Sequence, residues 1–391
     1  MAVLACAASC IYPYEAELEE QGLGGNLVVE GDIIIGSKSN FALSTLIPMG
    51  ENTQSMQPSG DLWVENDAGG RYEGVQVAPG EYEVDLAGAP ADAAYRLCIT
   101  AIVSKTSPAR SYCSSWSKSA GDCIIDKLES GFYYSKPEHV DGDKPLGVEI
   151  SMSLHSEQNN KHFRYRYVED WEYTAQERAI YYYDPVATEE HPGGNVVRYE
   201  GDENTYYCWK KAMSRGINLA TTETMGVNSL EDYPLFRYTK NDDRLSALYR
   251  LRMEVYAISQ ESYRYLEHVK QMSEYDGSLF APMPSEVRGN IRCTTDDDEI
   301  VYGYVGVAYP AIRELWLNAD DMMIYERAEY DRTEPEILDE SSWRFYYVNK
   351  IWRPYRLDPI AGLMWLPARC VDCRYGGGNK NRPENWPNSH Q

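Results

Sequence analysis

The chain is short of positive charge: 37 Lys and Arg face 61 Asp and Glu across 391 residues, a formal net charge of −24. No segment gathers the basic residues that a phosphate backbone requires, so nucleic-acid binding is excluded as a reading. Long apolar runs are missing as well, and no stretch reaches the roughly 18–20 residues of a membrane-spanning helix. Histidine is scarce, and His139, His155, His162, His191, His268 and His390 are scattered without metal-ligand spacing. The chain has no Gly-x-Ser-x-Gly elbow, no phosphate loop of the Gly-Lys-Ser/Thr kind and no His-Glu-x-x-His zinc helix. The expectation is therefore a protein with no catalytic residue, no metal and no cofactor. Phenylalanine is also rare, 6 residues against 33 Tyr. Tyrosine suits half-buried strands, where the ring is covered while the hydroxyl stays wet, and this favours β structure over helix bundles.

What is present starts at the N-terminus. Residues 1–9 are small and apolar and read as the tail of a truncated signal peptide whose true start lies upstream of Met1. Ala7-Ala8-Ser9-Cys10 resembles a bacterial lipobox, with Leu4-Ala5-Cys6 as a rival, so Cys10 is the expected lipidation site. Residues 10–25, acidic and then glycine-rich, read as the lipidated tether. Acyl chains on Cys10 would give stable membrane anchoring without any transmembrane helix.

A chain of this length is expected to form two domains. Short strands over 27–35, 61–65, 72–77, 81–86 and 95–103, punctuated by Gly and Pro turns, predict an immunoglobulin-like or transthyretin-like sandwich over 26–106. The polar stretch 108–121 reads as the boundary. A larger β-rich domain is expected over 120–391, with strands at 124–134, 147–154, 162–173 and 244–258. One prominent helix follows near 259–275, with Ser259 as its N-cap. Further strands are expected at 287–293, 300–307, 313–317 and 343–348. Asp296-Asp-Asp-Glu299 reads as an acidic hairpin turn between strands rather than a calcium loop, and Asp320-Asp321 as a short acidic loop. The fold class is thus mainly β.

Within the strand 162–173, Phe163, Tyr165, Tyr167, Trp171 and Tyr173 share one face at period two, opposite Arg164 and Arg166. Glu169, Asp170 and Glu172 beside Trp171 are the most glycosidase-like carboxylates in the chain. Alternation, however, leaves Glu169 alone on the aromatic side and puts Asp170 and Glu172 on the other, so a half-buried strand with a charged face is the favoured reading.

Several phrases together resemble a family of Bacteroidota surface and outer-membrane lipoproteins, grouped as domain of unknown function 4249. They are Cys10-Ile-Tyr-Pro-Tyr-Glu15, Leu27-Val-Val-Glu-Gly31, Arg164-Tyr-Arg-Tyr-Val-Glu-Asp-Trp-Glu172, Tyr207-Cys208-Trp209, the 277–291 stretch with Cys293, Val301-Tyr-Gly-Tyr304, and Leu366-Pro-Ala-Arg-Cys-Val-Asp-Cys373 leading to Trp386. The resemblance implies export, lipidation and genes lying beside TonB-dependent outer-membrane transporters. It implies no known catalytic residues. Cys208, Cys293, Cys370 and Cys373 fall inside these phrases and are the cysteines expected to be bonded. A direct Cys370–Cys373 bridge would close a very short ring, so links from this pair to Cys208 or Cys293 stay open. Cys98, Cys113 and Cys123 are extras to the pattern. The expected function is binding, as an accessory of a TonB-dependent transporter held to the membrane by its lipid, with Tyr206, Tyr207 and Trp209 as an aromatic binding surface. A carbohydrate-active hydrolase and an adhesin or structural surface protein are the alternatives.

Overall fold

The computed structural model describes residues 26–46, 57–103, 108–135, 144–200, 205–274, 289–327 and 333–387. Cys10 and the tether lie outside the described residues. The fold is mainly β, as the tyrosine-rich composition predicts, with several sheets that include a curled half-barrel. Chain contacts divide it into two compact units, Met1–Ser117 with Ser285–Val305, and Lys118–Pro284 with Gly306–Gln391.

The first unit is built on one eight-stranded path. Its order is Leu27–Glu30, Lys38–Thr45, Glu81–Asp85, Arg71–Ala78, Ser59–Asn66, Tyr95–Ile102, Arg110–Ser114 and Ile291–Cys293. Alternate residues such as Leu27, Phe41, Leu62, Val84, Tyr95, Leu97 and Tyr112 are buried, which gives the sheet one apolar face.

The linear reading assigns 287–307 to the second domain, whereas Ser285–Val305 groups with the first unit. Backbone pairing explains why. Ile291–Cys293 adds a strand beside Arg110–Ser114, in the stretch read as a polar boundary. Tyr302 exchanges bonds with the first strand, its N–H to Leu27 O at 2.9 Å and its O from Val29 N–H at 2.8 Å. The next residue, Gly303, has φ +129, and a Cβ there would sit 2.1 Å from Val29 O, so only glycine permits this approach. The acidic turn is also more than a solvated tip. Arg110 pairs with Asp296 at 3.2 Å and with Glu299 at 2.5 Å, and the Tyr112 hydroxyl donates to Glu299 at 2.8 Å.

The second unit has a five-stranded sheet facing a three-stranded one. In the larger sheet Tyr207–Met213 and Asn218–Thr221 lie along one edge of the central strand His162–Thr174, with Leu248–Ala257 and then Pro310–Asn318 on its other side. The smaller sheet runs Ser229–Thr239, Gly147–His155, Ile124–Tyr133. Arg313 joins the two by donating to the carbonyls of Ile125 (2.6 Å) and Asp126 (2.7 Å). The period-two aromatic face of the central strand forms this unit's core. Tyr167 meets Phe236 edge-on at 4.7 Å and Tyr165 meets Tyr233 at 6.3 Å, while Phe163, Trp171 and Tyr173 are buried.

The expected helix is present as Gln260–Glu274, with Ser259 Oγ accepting from Ser262 N at 3.1 Å as an N-cap does. Three local readings are corrected. The strand expected over 300–307 is reduced to the bridge of Tyr302 to Val28 and the start of the two-residue strand Val307–Ala308, because Gly303 and Gly306 interrupt it. Trp343–Val348 is not a strand but runs through the helix Glu340–Phe345 into the π-helical turn Tyr346–Lys350. Its aromatic and β-branched run favours strand, but the segment begins as a helix at Asp339, Glu340 and two serines, and tertiary contact then decides. The Trp343 ring lies 6.0 Å from the fully buried Trp365, and Trp343 Nε1–H bonds Leu338 O at 2.9 Å. Asp320-Asp321 is the first turn of the short helix Ala319–Met322, because Asn318 accepts from Asp320 N at 3.0 Å and caps it.

Candidate functional site

The central strand of the second unit carries its three carboxylates to opposite faces. On the inner face Glu169 Oε1 accepts from Tyr249 Oη and Arg244 Nε, each at 3.0 Å, and from Tyr238 Oη in a short bond. Arg244 in turn stacks between Trp171 (4.5 Å) and Tyr238 (4.8 Å). Burial first, and then Glu169, push the Tyr238 hydroxyl far above its ordinary range, and burial, Tyr238 and Glu169 do the same to Tyr249. Burial disfavours the charged Arg244, but Glu169, Tyr238 and Asp242 together outweigh it and the guanidinium pKa is raised. This carboxylate is saturated by its own fold.

The outer face is different in kind. Asp170 pairs with Arg250 at 2.6 Å, and Arg250 lies over the rings of Trp316 (5.4 Å) and Trp386 (5.9 Å), which are 5.2 Å apart. Register places Arg250 opposite Trp316 and Glu172 opposite Trp209 on this face. The C-terminal segment runs over it. Asn379 and Trp209 exchange N–H···O bonds of 3.0 and 2.9 Å, Lys380 Nζ donates to Tyr207 O at 2.5 Å, and Arg250 donates to Glu384 O at 3.3 Å. Burial lowers the pKa of Lys380.

The local sequence explains how the segment gets there. Asp372 caps the turn Cys373–Gly376 by accepting from Arg374 N at 3.0 Å, and Arg374 returns a bidentate bond to the same carboxylate. Cys373 is disulfide-bonded to Cys208 on the edge strand. Tyr173 Oη donates to Cys373 O in a short bond and accepts from Gly378 N at 3.1 Å. A Cβ on Gly378 would lie 2.5 Å from the Tyr173 ring and 2.6 Å from Cys208 Cβ. The Gly-Gly-Gly run is therefore a clasp folded tightly round Tyr173. Burial pushes that phenol up to about 12.

The expected cysteine set is half realised. Cys208 and Cys373 are joined, whereas Cys293 and Cys370 are free thiols. Cys293 belongs to the first unit's sheet, with its Sγ 3.3 Å from Thr295 Oγ1. Cys370 is buried in a separate small core with Ala179, Tyr355 and Leu366. The second bond is Cys98–Cys113, between directly opposed residues of neighbouring strands.

The three aromatic residues proposed from sequence are split. Tyr206 packs against the core and meets Tyr207 edge-on at 4.8 Å, while Trp209 lies on the outer face beneath Asn379 and Lys380. Arg250, Trp316 and Trp386 are the residues that sequence reasoning missed. The alternation of 244–258, with Tyr249, Leu251, Met253 and Val255 on one side, already placed Arg250 on the other, but nothing in the sequence revealed which strand lay beside it. Three donors on this face are buried without an acceptor among the described residues: Trp209 Nε1, Arg250 Nε and Trp386 Nε1. A buried donor left unpaired is costly, and the same state recurs at Trp171 Nε1 on the inner face and at Trp365 Nε1.

A family model described as Domain of unknown function (DUF4249) matches residues 11–311, more than half of the chain. The chain belongs to the DUF4249 family. The DUF4249 match covers the strands that carry Glu169, Asp170, Trp209 and Arg250, while Trp316, Lys380 and Trp386 lie beyond its end. No curated protein matches the chain.

Proposed function

We propose that the protein is a lipid-anchored binding protein of the bacterial cell envelope that serves as accessory to a TonB-dependent outer-membrane transporter. The observation that carries the binding part is the outer face of the second unit, where Trp316 and Trp386 gather on the Asp170–Arg250 pair and Trp209 lies on the same face. Indole and guanidinium planes such as the exposed Trp316 offer a stacking surface to a ligand. The ligand class this fits is an oxygen-rich small molecule such as a sugar. The lipobox-like Ala7-Ala8-Ser9-Cys10 supports the anchor, and the lipoprotein resemblance supports the transporter.

A hydrolase reading is disfavoured by the carboxylates themselves. Glu169 lies on the inner face in its pair with Arg244, and Asp170, which shares the outer face with Glu172, is buried in its pair with Arg250. A glycosidase flanks the bond to be cleaved with two carboxyl groups that reach the substrate as acid and as base or nucleophile, and a carboxylate buried against its own arginine is not placed for either role. Native mass spectrometry of the protein purified from its own membrane tests the site. One small-molecule adduct is expected on the wild type and none on Arg250→Ala/Trp386→Ala. Equal occupancy of the two proteins would remove this face as the ligand site.

A further inference from the structure

We infer that the hairpin tip Pro359-Ile360-Ala361 in the second unit is an insertion point for the lipid bilayer interface, a second membrane contact distinct from the acyl anchor at Cys10.

The tip joins the strands Trp352–Asp358 and Gly362–Pro367. Ile360 is 99% exposed, the highest value among the large apolar residues described, and Leu357 and Ile337 beside it are 53% and 55% exposed. They flank the tip on both sides. Leu357 stands opposite Leu363 in the hairpin, whereas Ile337 pairs with Met364 and approaches Gly362, where a Cβ would lie 3.7 Å from it. The result is an apolar wedge with isoleucine at its point.

Exposed apolar side chains enter lipid only where the backbone that carries them can be desolvated, and here it can. A bilayer cannot satisfy a free amide hydrogen, whereas a protein partner can. Pro359 has no N–H, and both Ile360 N (2.9 Å) and Ala361 N (2.8 Å) donate to Asp358 Oδ1. The tip therefore presents no open donor. The same two bonds hold the Asp358 carboxyl below its usual range, so it stays ionised at the base of the tip, at the level of headgroups, with the exposed Arg356 alongside. A net charge of −24 opposes long-range attraction to an anionic surface, so insertion is driven by apolar burial.

The inference takes its setting from the envelope reading but is tested without the anchor. Full-length protein carrying Cys10→Ala is sedimented with vesicles of phosphatidylethanolamine and phosphatidylglycerol. Partition is expected, and it should survive a rise in salt from about 0.1 M to about 1 M. Ile360→Asp should lower the partition about tenfold or more, the scale of one isoleucine's buried surface. Val75→Asp, an exposed apolar residue of the first unit, should leave it unchanged. Circular dichroism verifies that the variants fold. Absence of partition, loss of it in high salt, or equal partition of the Ile360→Asp protein would each overturn the inference. So would Ile360→Asp abolishing protein co-purification while sparing vesicle binding, since the tip would then dock a protein. None of these results bears on whether Cys10 is acylated in cells.

Discussion

Removing the two disulfides separately should destabilise the protein by different amounts, for a reason that lies in the unfolded chain. Cys208 and Cys373 are 165 residues apart, so in the chain-entropy treatment their cross-link contributes about 5 kcal/mol. Cys98 and Cys113 are only 15 apart, and the same reasoning gives about 3 kcal/mol. Cys208 and Cys373 are also fully covered by the Tyr173 clasp, so their replacement by alanine leaves space in a packed region. Urea unfolding of Cys208→Ala/Cys373→Ala and Cys98→Ala/Cys113→Ala, followed by tryptophan fluorescence and circular dichroism, measures both losses. The first variant should lose more. Hydrogen exchange should also accelerate at Gly378 and Asn379, the amides bonded to Tyr173 and Trp209. A larger loss from the short-loop pair, or a C-terminal segment that stays protected without its disulfide, would refute the argument.

Arg250→Ala strands Asp170 as a buried carboxylate without its cation and should cost about 3–5 kcal/mol, whereas Asp170→Asn/Arg250→Met should cost clearly less; denaturant titration of both variants separates the two. Gly378→Ala drives a methyl group into the Tyr173 ring and Cys208 Cβ, so a fall of several degrees in Tm is expected, with Gly377→Ala serving as a comparison strained only by its φ of +83. Burial lowers the pKa of His162, which lies 4.7 Å from the Tyr263 ring. Its contribution is present above the unfolded value of 6.5 and is lost as pH falls through the folded one. Stability measured from about pH 7.5 down to about pH 5 should therefore fall less steeply in His162→Phe than in the wild type.

The parts legible in the sequence were those whose cause is local. The period-two aromatics of 162–173 specified a strand and its core face, and Ser259 specified the start of a helix. Asp170 was correctly placed across the strand from Glu169 by alternation alone. What was not legible depended on partners distant in the chain. Trp343 to Val348 carries strand-forming residues, but the Trp365 ring it packs against is supplied by a later hairpin. The stretch 289–305 has nothing in its composition to tie it to Leu27 and Val29, since the tie is made by backbone groups of Tyr302 and Gly303. Cys370 and Cys373 are equally cysteine in the sequence, and only the turn capped by Asp372 decides which one reaches Cys208. The outer-face cluster had the same obstacle: Arg250, Trp316 and Trp386 come from two strands and a C-terminal segment whose register no periodicity encodes.

The most direct test of the envelope account is quantitative mass spectrometry of the protein captured, under mild detergent, from isolated outer membranes of cells expressing it from its native start. The account predicts an N-terminal peptide beginning at an acylated Cys10 and one TonB-dependent transporter in near-equal amount, both lost from the membrane eluate with Cys10→Ala. An unmodified Cys10 in protein recovered without any transporter would contradict it.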